Sequence, residues 1–257
     1  MRGTEAKERI LRVLVAIPVY NELKYAPKVI EKVKRFHDQV LFIDDGSTDG
    51  TAELLQGRDD VYLIRHPVNR GYGRSLIDAF CWADLRGYDW VITMDCDEQH
   101  EPEMIPEFVR KIREDRWDIV SGSRYMKAQL GDDLPPGDRR SINLMITEMI
   151  NDSFGWDLTD SFCGFKAHRL SAMRKLNLDE SGYAFPMQLW PQVYKAGLRV
   201  TEIPVRLIYN DPTRHFGGLL DDATLRLQHY RDVFNAEMAR PLAPADAERA
   251  CGCPGLE

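Results

Sequence analysis

Asp95-Cys96-Asp97 closes the apolar run Trp90-Val91-Ile92-Thr93-Met94. Two carboxylates one residue apart, just past a strand of the buried parallel type, put hard oxygen ligands at the edge where open α/β sheets bind their ligands. That chemistry suits Mg²⁺ or Mn²⁺ carrying a diphosphate. Asp97 is the foremost metal ligand, with Asp95 sharing the ion or lying nearer the nucleotide. Gln99 can add its carbonyl oxygen, and His100 is either a further ligand or polar surface. Asp-x-Asp alone is common in solvated loops, so its weight comes from its company.

Three upstream segments keep that company. Pro18-Val19-Tyr20-Asn21-Glu22 supplies a rigid turn, an aromatic face and a carboxylate, able to hold a nucleobase or ribose. The same segment also reads as a turn with Asn21 as a helix cap. In Asp44-Asp45-Gly46-Ser47-Thr48-Asp49-Gly50-Thr51, one residue suffices for capping, so the doubled Asp points to a nucleotide contact from Asp44 or Asp45. Asn69-Arg70-Gly71-Tyr72-Gly73-Arg74 precedes a helix, where free backbone N–H groups suit an anion.

Downstream, Ser121-Gly122-Ser123-Arg124-Tyr125 and Arg139-Arg140-Ser141 bring guanidinium groups suited to phosphate. Asp160, opening Asp160-Ser161-Phe162-Cys163-Gly164-Phe165-Lys166-Ala167, is a general base, a sugar-orienting group or a turn-stabilising residue. Asp211-Pro212-Thr213-Arg214-His215-Phe216-Gly217-Gly218 is a basic loop in which Arg214 can clamp a diphosphate.

The elements that must position these groups follow from periodicity. Strand-like runs at Val13–Ile17, Val40–Ile43, Val61–Ile64, Trp90–Met94 and Ile119–Ser121 alternate with helical patterns at Ala26–Phe36, Thr51–Gln56, Arg74–Leu85 and Glu103–Arg113. Short apolar strands between amphipathic helices give an α/β, mostly parallel sheet covered on both faces. After Arg124 comes a polar loop, Met126–Gly137, then helical patterns at Ser141–Phe154, Met187–Ala196 and Asp221–Met238, with strands at Arg199–Ile203 and Val205–Ile208. Residues 1–9 and 240–257 read as tails around one domain, 10–239, with a first half, 10–124, that carries the nucleotide-contact candidates and a second half, 125–239.

The balance of 34 Lys and Arg against 41 Asp and Glu gives a net charge of −7, a field that repels nucleic acid. No run reaches the roughly 18–20 apolar residues of a membrane span, and no signal-peptide segment opens the chain, so a cytoplasmic protein is expected. Five cysteines, an odd number without a CxxC pair, argue against a disulfide framework, and Cys81 reads as a small apolar packing residue. Cys251 and Cys253 read as two exposed thiols in a loose tail.

Taken in order, Pro18–Glu22, Asp44–Thr51, Asn69–Gly73, Asp95–Pro102, Gly122–Tyr125 and Asp160–Ala167 resemble the inverting family 2 glycosyltransferases of the GT-A (Rossmann-like) fold, in the dolichol- or polyprenyl-phosphate sugar transferase branch. The resemblance implies a nucleoside diphosphate sugar of the GDP-mannose or UDP-glucose type, held by Pro18, Tyr20, Glu22 and Asp45, with Gly71, Asp95 and Arg124 beside it. It implies Mg²⁺ or Mn²⁺ on Asp95, Asp97 and Gln99, and acceptor-phosphate contacts from Arg124 and the Arg139–Ser141 region. Asp97, Asp160 and Arg214 are the candidate catalytic residues. The expected acceptor is a polyprenyl phosphate, met at the inner face of the membrane. A soluble hydroxyl acceptor and a non-catalytic nucleotide-sugar-binding protein on the same fold are the alternatives. Gln188 stands where the family commonly has Glu, and Phe216-Gly217-Gly218 departs from the family's Gly-Ser-Lys pattern.

Overall fold

Side chains of β1 (Val13–Val19) enter two apolar layers in alternation: Leu14 and Ala16 join one, and Val13, Val15, Ile17 and Val19 join the other. This period of two, with both faces buried, is why the strand reads as unbroken apolar sequence. The same holds for β2 (Val40–Asp44), whose Leu41 and Ile43 face one layer and Val40 and Phe42 the other. The computed structural model describes residues 10–127, 132–133, 137–209 and 218–242.

Between these strands lies α1 (Ala26–Lys34), and after them come α2 (Thr51–Gln56), β3 (Tyr62–Arg65), α3 (Tyr72–Leu85) and β4 (Trp90–Thr93). A 3₁₀ turn at Pro102–Met104 leads into α4 (Ile105–Arg113), followed by β5 (Ile119–Ser123) and the long α5 (Gly137–Phe154). The chain continues through β6 (Lys166–Arg169), the short α6 (Leu170–Met173), α7 (Phe185–Lys195), β7 (Val200–Pro204) and α8 (Ala223–Ala239).

The seven strands form one sheet in the order β3-β2-β1-β4-β6-β5-β7. Parallel pairs join β1 to β2 and β4, β2 to β3, and β5 to β7, whereas β6 runs antiparallel to both its neighbours, with Thr93 opposite Lys166 and Val120 opposite Ala167. The sheet is therefore mostly parallel, with one reversed strand. Its order turns back at β1 and β4, the switch point outside whose carboxyl ends an open α/β sheet presents a crevice. Tyr20 and Glu22 follow β1 there, and Asp95 and Asp97 follow β4.

Several sequence expectations shift. Helix α3 begins at Tyr72 rather than Arg74. Val205–Ile208 forms no strand: Val205 N–H donates to the Ser123 carbonyl and Leu207 N–H to Asp132 Oδ1. Cys81 is disulfide-bonded rather than simply packed, while Cys96 and Cys163 are free and buried. Most of the Met126–Gly137 loop, Cys251 and Cys253 lie outside the described residues. Among the described residues no helix is long and apolar enough to cross a membrane.

Candidate active site

The loops after β1 and β2 are built as one unit. Asn21 adopts a positive φ of 57°, a conformation Asn tolerates better than most residues. Its N–H donates to Ser47 Oγ at 2.9 Å, and its Oδ1 accepts the Thr48 N–H at 2.8 Å. Asn21 thus ties two loops together instead of capping α1, whose N-cap is Tyr25 without a side-chain cap. The paired aspartates then take separate roles. Asp44 is fully buried, and its Oδ1 accepts the Ser47 N–H at 3.1 Å. Asp45 lines the cleft.

The N–H groups of Arg70 and Gly71, read from sequence as a cradle for a ligand anion, each donate at 2.8 Å to the chain's own Asp45 carboxylate. A fixed anion thereby satisfies the N-terminus of α3. Arg70 and Arg74 reach Asp78, at 3.4 and 2.5 Å. Gly71 itself is required by geometry: its φ is +101°, and a Cβ there would strike the Ser181 carbonyl oxygen.

At the exit of β4, Asp95 is held from three sides. Its N–H donates to His100 Nδ1 at 2.9 Å, and Tyr72 Oη donates to its Oδ1 at 3.2 Å. The third side is Gly164, where a Cβ would lie 2.6 Å from Asp95 Oδ2. His100 is neither a ligand nor surface. It is buried, stacked on Phe165 with centroids 5.2 Å apart, and burial pushes its pKa down, so it serves Asp95 as a neutral acceptor. Asp97 Oδ1 accepts the Gln99 N–H at 3.0 Å, which folds the loop so that Asp95, Asp97 and Gln99 all line the cleft.

Among the described residues no group of three or more His, Cys, Asp and Glu is arranged to hold a metal. Two carboxylates and an amide oxygen are nonetheless a hard donor set. They fit an ion of the Mg²⁺ type, which takes one or two carboxylates and completes its shell with water and substrate phosphates.

The same cleft is also lined by cationic groups. Arg124 follows β5 and forms a two-pronged ion pair with Asp160, Nε to Oδ2 at 2.6 Å and Nη2 to Oδ1 at 2.9 Å. Asp160 is fully buried and also accepts from the N–H groups of Arg124, Phe162 and Cys163 and from Asn143 Nδ2. Burial opposes its charge, but Arg124 and the other donors hold its carboxyl well below the usual range. It is absent from the cleft lining. Of the roles the sequence leaves open for Asp160, the bonds from the Phe162 and Cys163 N–H groups match the turn-stabilising one, and its carboxylate also meets Arg124. Arg139 lines the cleft with Nη1 donating to Tyr209 Oη at 3.0 Å, whereas Ser141 is exposed and bonds back to the Gly137 carbonyl. Arg140 stacks over the Tyr125 ring at 3.7 Å.

One cleft of about 630 Å³ thus gathers Pro18, Tyr20, Glu22, Asp45, Gly71, Asp95, Asp97, Gln99 and Arg124. Arg214 lies outside the described residues. Sequence reasoning missed Arg226, Tyr183 and Tyr230, which line the same space. Arg226 is buried on α8, paired to Asp138 at 2.6 Å and donating to the Leu220 carbonyl. The available signal was an arginine four residues before Tyr230, on one face of a helix.

A crevice at the β1/β4 switch point, lined by acidic loops and by residues of α5, α7 and α8, goes with the GT-A fold. Consistent with it, glucosyl-3-phosphoglycerate synthase from Mycobacterium tuberculosis in complex with uridine diphosphate superposes with a TM-score of 0.66 at 17% identity, over 90% of this chain and 81% of that one. The complex of the same enzyme with Mn²⁺, UDP-glucose and phosphoglyceric acid also gives 0.66. Residues 14–176 match the model of glycosyl transferase family 2, and the chain belongs to that family. It is a glycosyltransferase. Undecaprenyl-phosphate mannosyltransferase of Micrococcus luteus is 28% identical over 231 residues, covering 86% of this chain and 94% of the relative. Polyprenol monophosphomannose synthase of Mycolicibacterium smegmatis is 31% identical over 206 residues, 76% of each chain.

Proposed function

We propose that the enzyme transfers a hexose from a nucleoside diphosphate sugar to a polyprenyl phosphate, with inversion at the anomeric carbon. The observation that carries this reading is the charge of the cleft lining, which holds the carboxylates of Asp45, Asp95 and Asp97 together with the guanidinium groups of Arg124, Arg139 and Arg226. Tyr20, exposed at the mouth, offers a ring face to the base, and Asp45 accepts from base or ribose. Asp95, Asp97 and Gln99 would hold Mg²⁺ or Mn²⁺, which when bound neutralises charge growing on the leaving diphosphate. Arg214 is assigned to the same diphosphate.

The acceptor assignment rests on charge and on the commitment of Asp160. A phosphate acceptor is already ionised near neutral pH and needs no protein base, while a hydroxyl acceptor does. Asp160 is spent on Arg124, so its role here is to position that guanidinium. Ile142 and Phe162 line the cleft beside the arginines and suit a phosphate carried on hydrocarbon. The names of the two mannosyltransferase relatives support the same acceptor class. Such an enzyme works as a peripheral protein at the inner membrane face.

The test incubates the enzyme with Mn²⁺, GDP-mannose or UDP-glucose, and a polyprenyl phosphate in detergent, and follows organic-phase sugar. One donor should give an acid-labile lipid-linked sugar, and excess EDTA should abolish it. Transfer only to soluble hydroxyl compounds would overturn the acceptor, and undiminished turnover in EDTA would overturn the metal.

A further inference from the structure

His66, just past β3, belongs to no motif singled out in the sequence, yet both nitrogens of its ring meet buried carboxylates, one of which lines the cleft. Its Nδ1 lies 2.7 Å from Asp45 Oδ1 and its Nε2 lies 3.0 Å from Asp78 Oδ2. All three side chains are buried. Carboxylates only accept, so a ring that bonds both must donate from both nitrogens, which only the imidazolium can do. A neutral ring has one N–H, and one carboxylate would then face a lone pair at hydrogen-bond distance.

The charges around the ring come from every side. Asp45 approaches from the loop after β2, and Asp78 from α3. Arg74 on α3 and Arg70 in the preceding loop both pair with Asp78. The His66 N–H donates to the Asp44 carbonyl, and Arg65 on β3 lies 3.6 Å from the Asp44 carboxylate. Asp78 therefore keeps guanidinium partners without His66. For Asp45, His66 is the one charged side chain hydrogen-bonded to it among the described residues; its other partners are the N–H groups of Arg70 and Gly71.

We propose that His66, as a buried imidazolium bridging Asp78 to Asp45, is the positioning residue that fixes the donor-binding carboxylate, so that donor affinity is gated by the His66 proton. The proposal rests on the reading of Asp45 as a donor contact. Burial pushes the imidazole down, but the hydrogen bonds and charges of Asp45 and Asp78 outweigh it and raise the pKa to about 8. The ring is charged at neutral pH and loses its proton just above it, so the weakening falls on the alkaline side.

Calorimetric titration of the full chain with UDP and with GDP, each with Mn²⁺, tests this. For the wild type, the dissociation constant of the better nucleotide should rise about tenfold between about pH 7 and about pH 9.5, the scale of one hydrogen bond to a charged group. In His66→Gln it should be weak and flat across that range. Asp78→Asn is the sharper variant: its amide can donate to Nε2 of a neutral ring, leaving Nδ1–H on Asp45. Binding should then stay tight at pH 7 and lose the alkaline weakening, which a merely structural role would not produce. Imidazole ¹⁵N shifts of the wild type report an imidazolium at pH 7 independently of any variant's folding. With the donor, a higher KM and an unchanged kcat are expected above pH 8. A neutral ring at pH 7, or identical pH slopes in wild type and Asp78→Asn, would overturn the gating alone. Failure of the wild type to bind either nucleotide at any pH would overturn the donor-site reading, and the gating with it.

Discussion

The acidic and the cationic lining of the cleft are built on different principles. Asp45 stands directly after β2, and Asp95 and Asp97 lie in the loop after β4. Asp95 and Asp97 are held by backbone or neutral groups, Tyr72 Oη, His100 Nδ1 and the Gln99 N–H, while Asp45 takes the Arg70 and Gly71 N–H groups together with His66. In the cationic lining, Arg124 is held by the charge of Asp160 and Arg226 by that of Asp138, while Arg139 donates to the Tyr209 hydroxyl. The two carboxylates placed by backbone and neutral groups leave their charge for a cation. Arg124 is placed by a buried carboxylate and Arg226 by an exposed one, and neither Asp160 nor Asp138 is among the residues lining the cleft.

That contrast can be broken, and the largest effect is expected on the cationic side. Asp160→Asn strands Arg124, and denaturant titration should show a loss of about 3–5 kcal/mol, the scale of breaking a buried ion pair from one side. Because the Asp160 carboxyl is held low, the stability it confers is present above the ordinary carboxylate range and is lost only as pH falls through its depressed value. A variant as stable as wild type would show that Arg124 does not need its partner. In the acidic lining, Asp97→Ala should leave the fold unchanged while turnover drops by about two orders of magnitude, as for loss of a main electrostatic stabiliser. Steady-state rates alongside thermal denaturation separate the two outcomes.

Gly164→Ala probes the packing that supports Asp95. Its new methyl would press on Asp95 Oδ2, and the Mn²⁺ requirement should weaken by about tenfold in apparent affinity, the lower end for a displaced ligand support. An unchanged Mn²⁺ titration would mean that Asp95 can move without cost. The smallest effect concerns His66. Its folded pKa of about 8 exceeds the ordinary 6.5, so its contribution to stability is complete below pH 6.5 and disappears as pH rises through 8. Melting curves should show a fall on the order of a few degrees across that window, absent in Asp78→Asn.

The same contrast explains what could be read from the chain. The acidic lining is local in sequence: each apolar run ends in its functional residue, so strand periodicity and the Asp-x-Asp spacing locate Asp45, Asp95 and Asp97 together. The cationic lining is assembled from residues far apart. Arg124 and Asp160 are 36 positions apart and Asp138 and Arg226 are 88 apart, and no periodicity marks such pairs. Strand β6 was equally hidden. Lys166 and His168 interrupt its four residues, although all but Arg169 are buried. Gln188, where the family commonly has Glu, proves to be a buried connector. Its Oε1 accepts the Asp179 and Glu180 N–H groups, and its Nε2 donates to Asp179 Oδ1 and Glu237 Oε2. A carboxylate at 188 would meet Asp179 and Glu237 as like charges, so the substitution is coupled to its surroundings in this chain.

Strand β6 has a further consequence. It comes from the second half of the chain but hydrogen-bonds on both sides to strands of the first, β4 and β5. Cutting after residue 124 would strip β4 of its neighbour, leave β5 without either of its partners, and bare a row of unpaired amides along Trp90–Thr93. A chimera that grafts a new second half onto residues 10–124 must therefore import a matching reversed strand in the same register, or it inherits an aggregation-prone seam in the middle of its sheet.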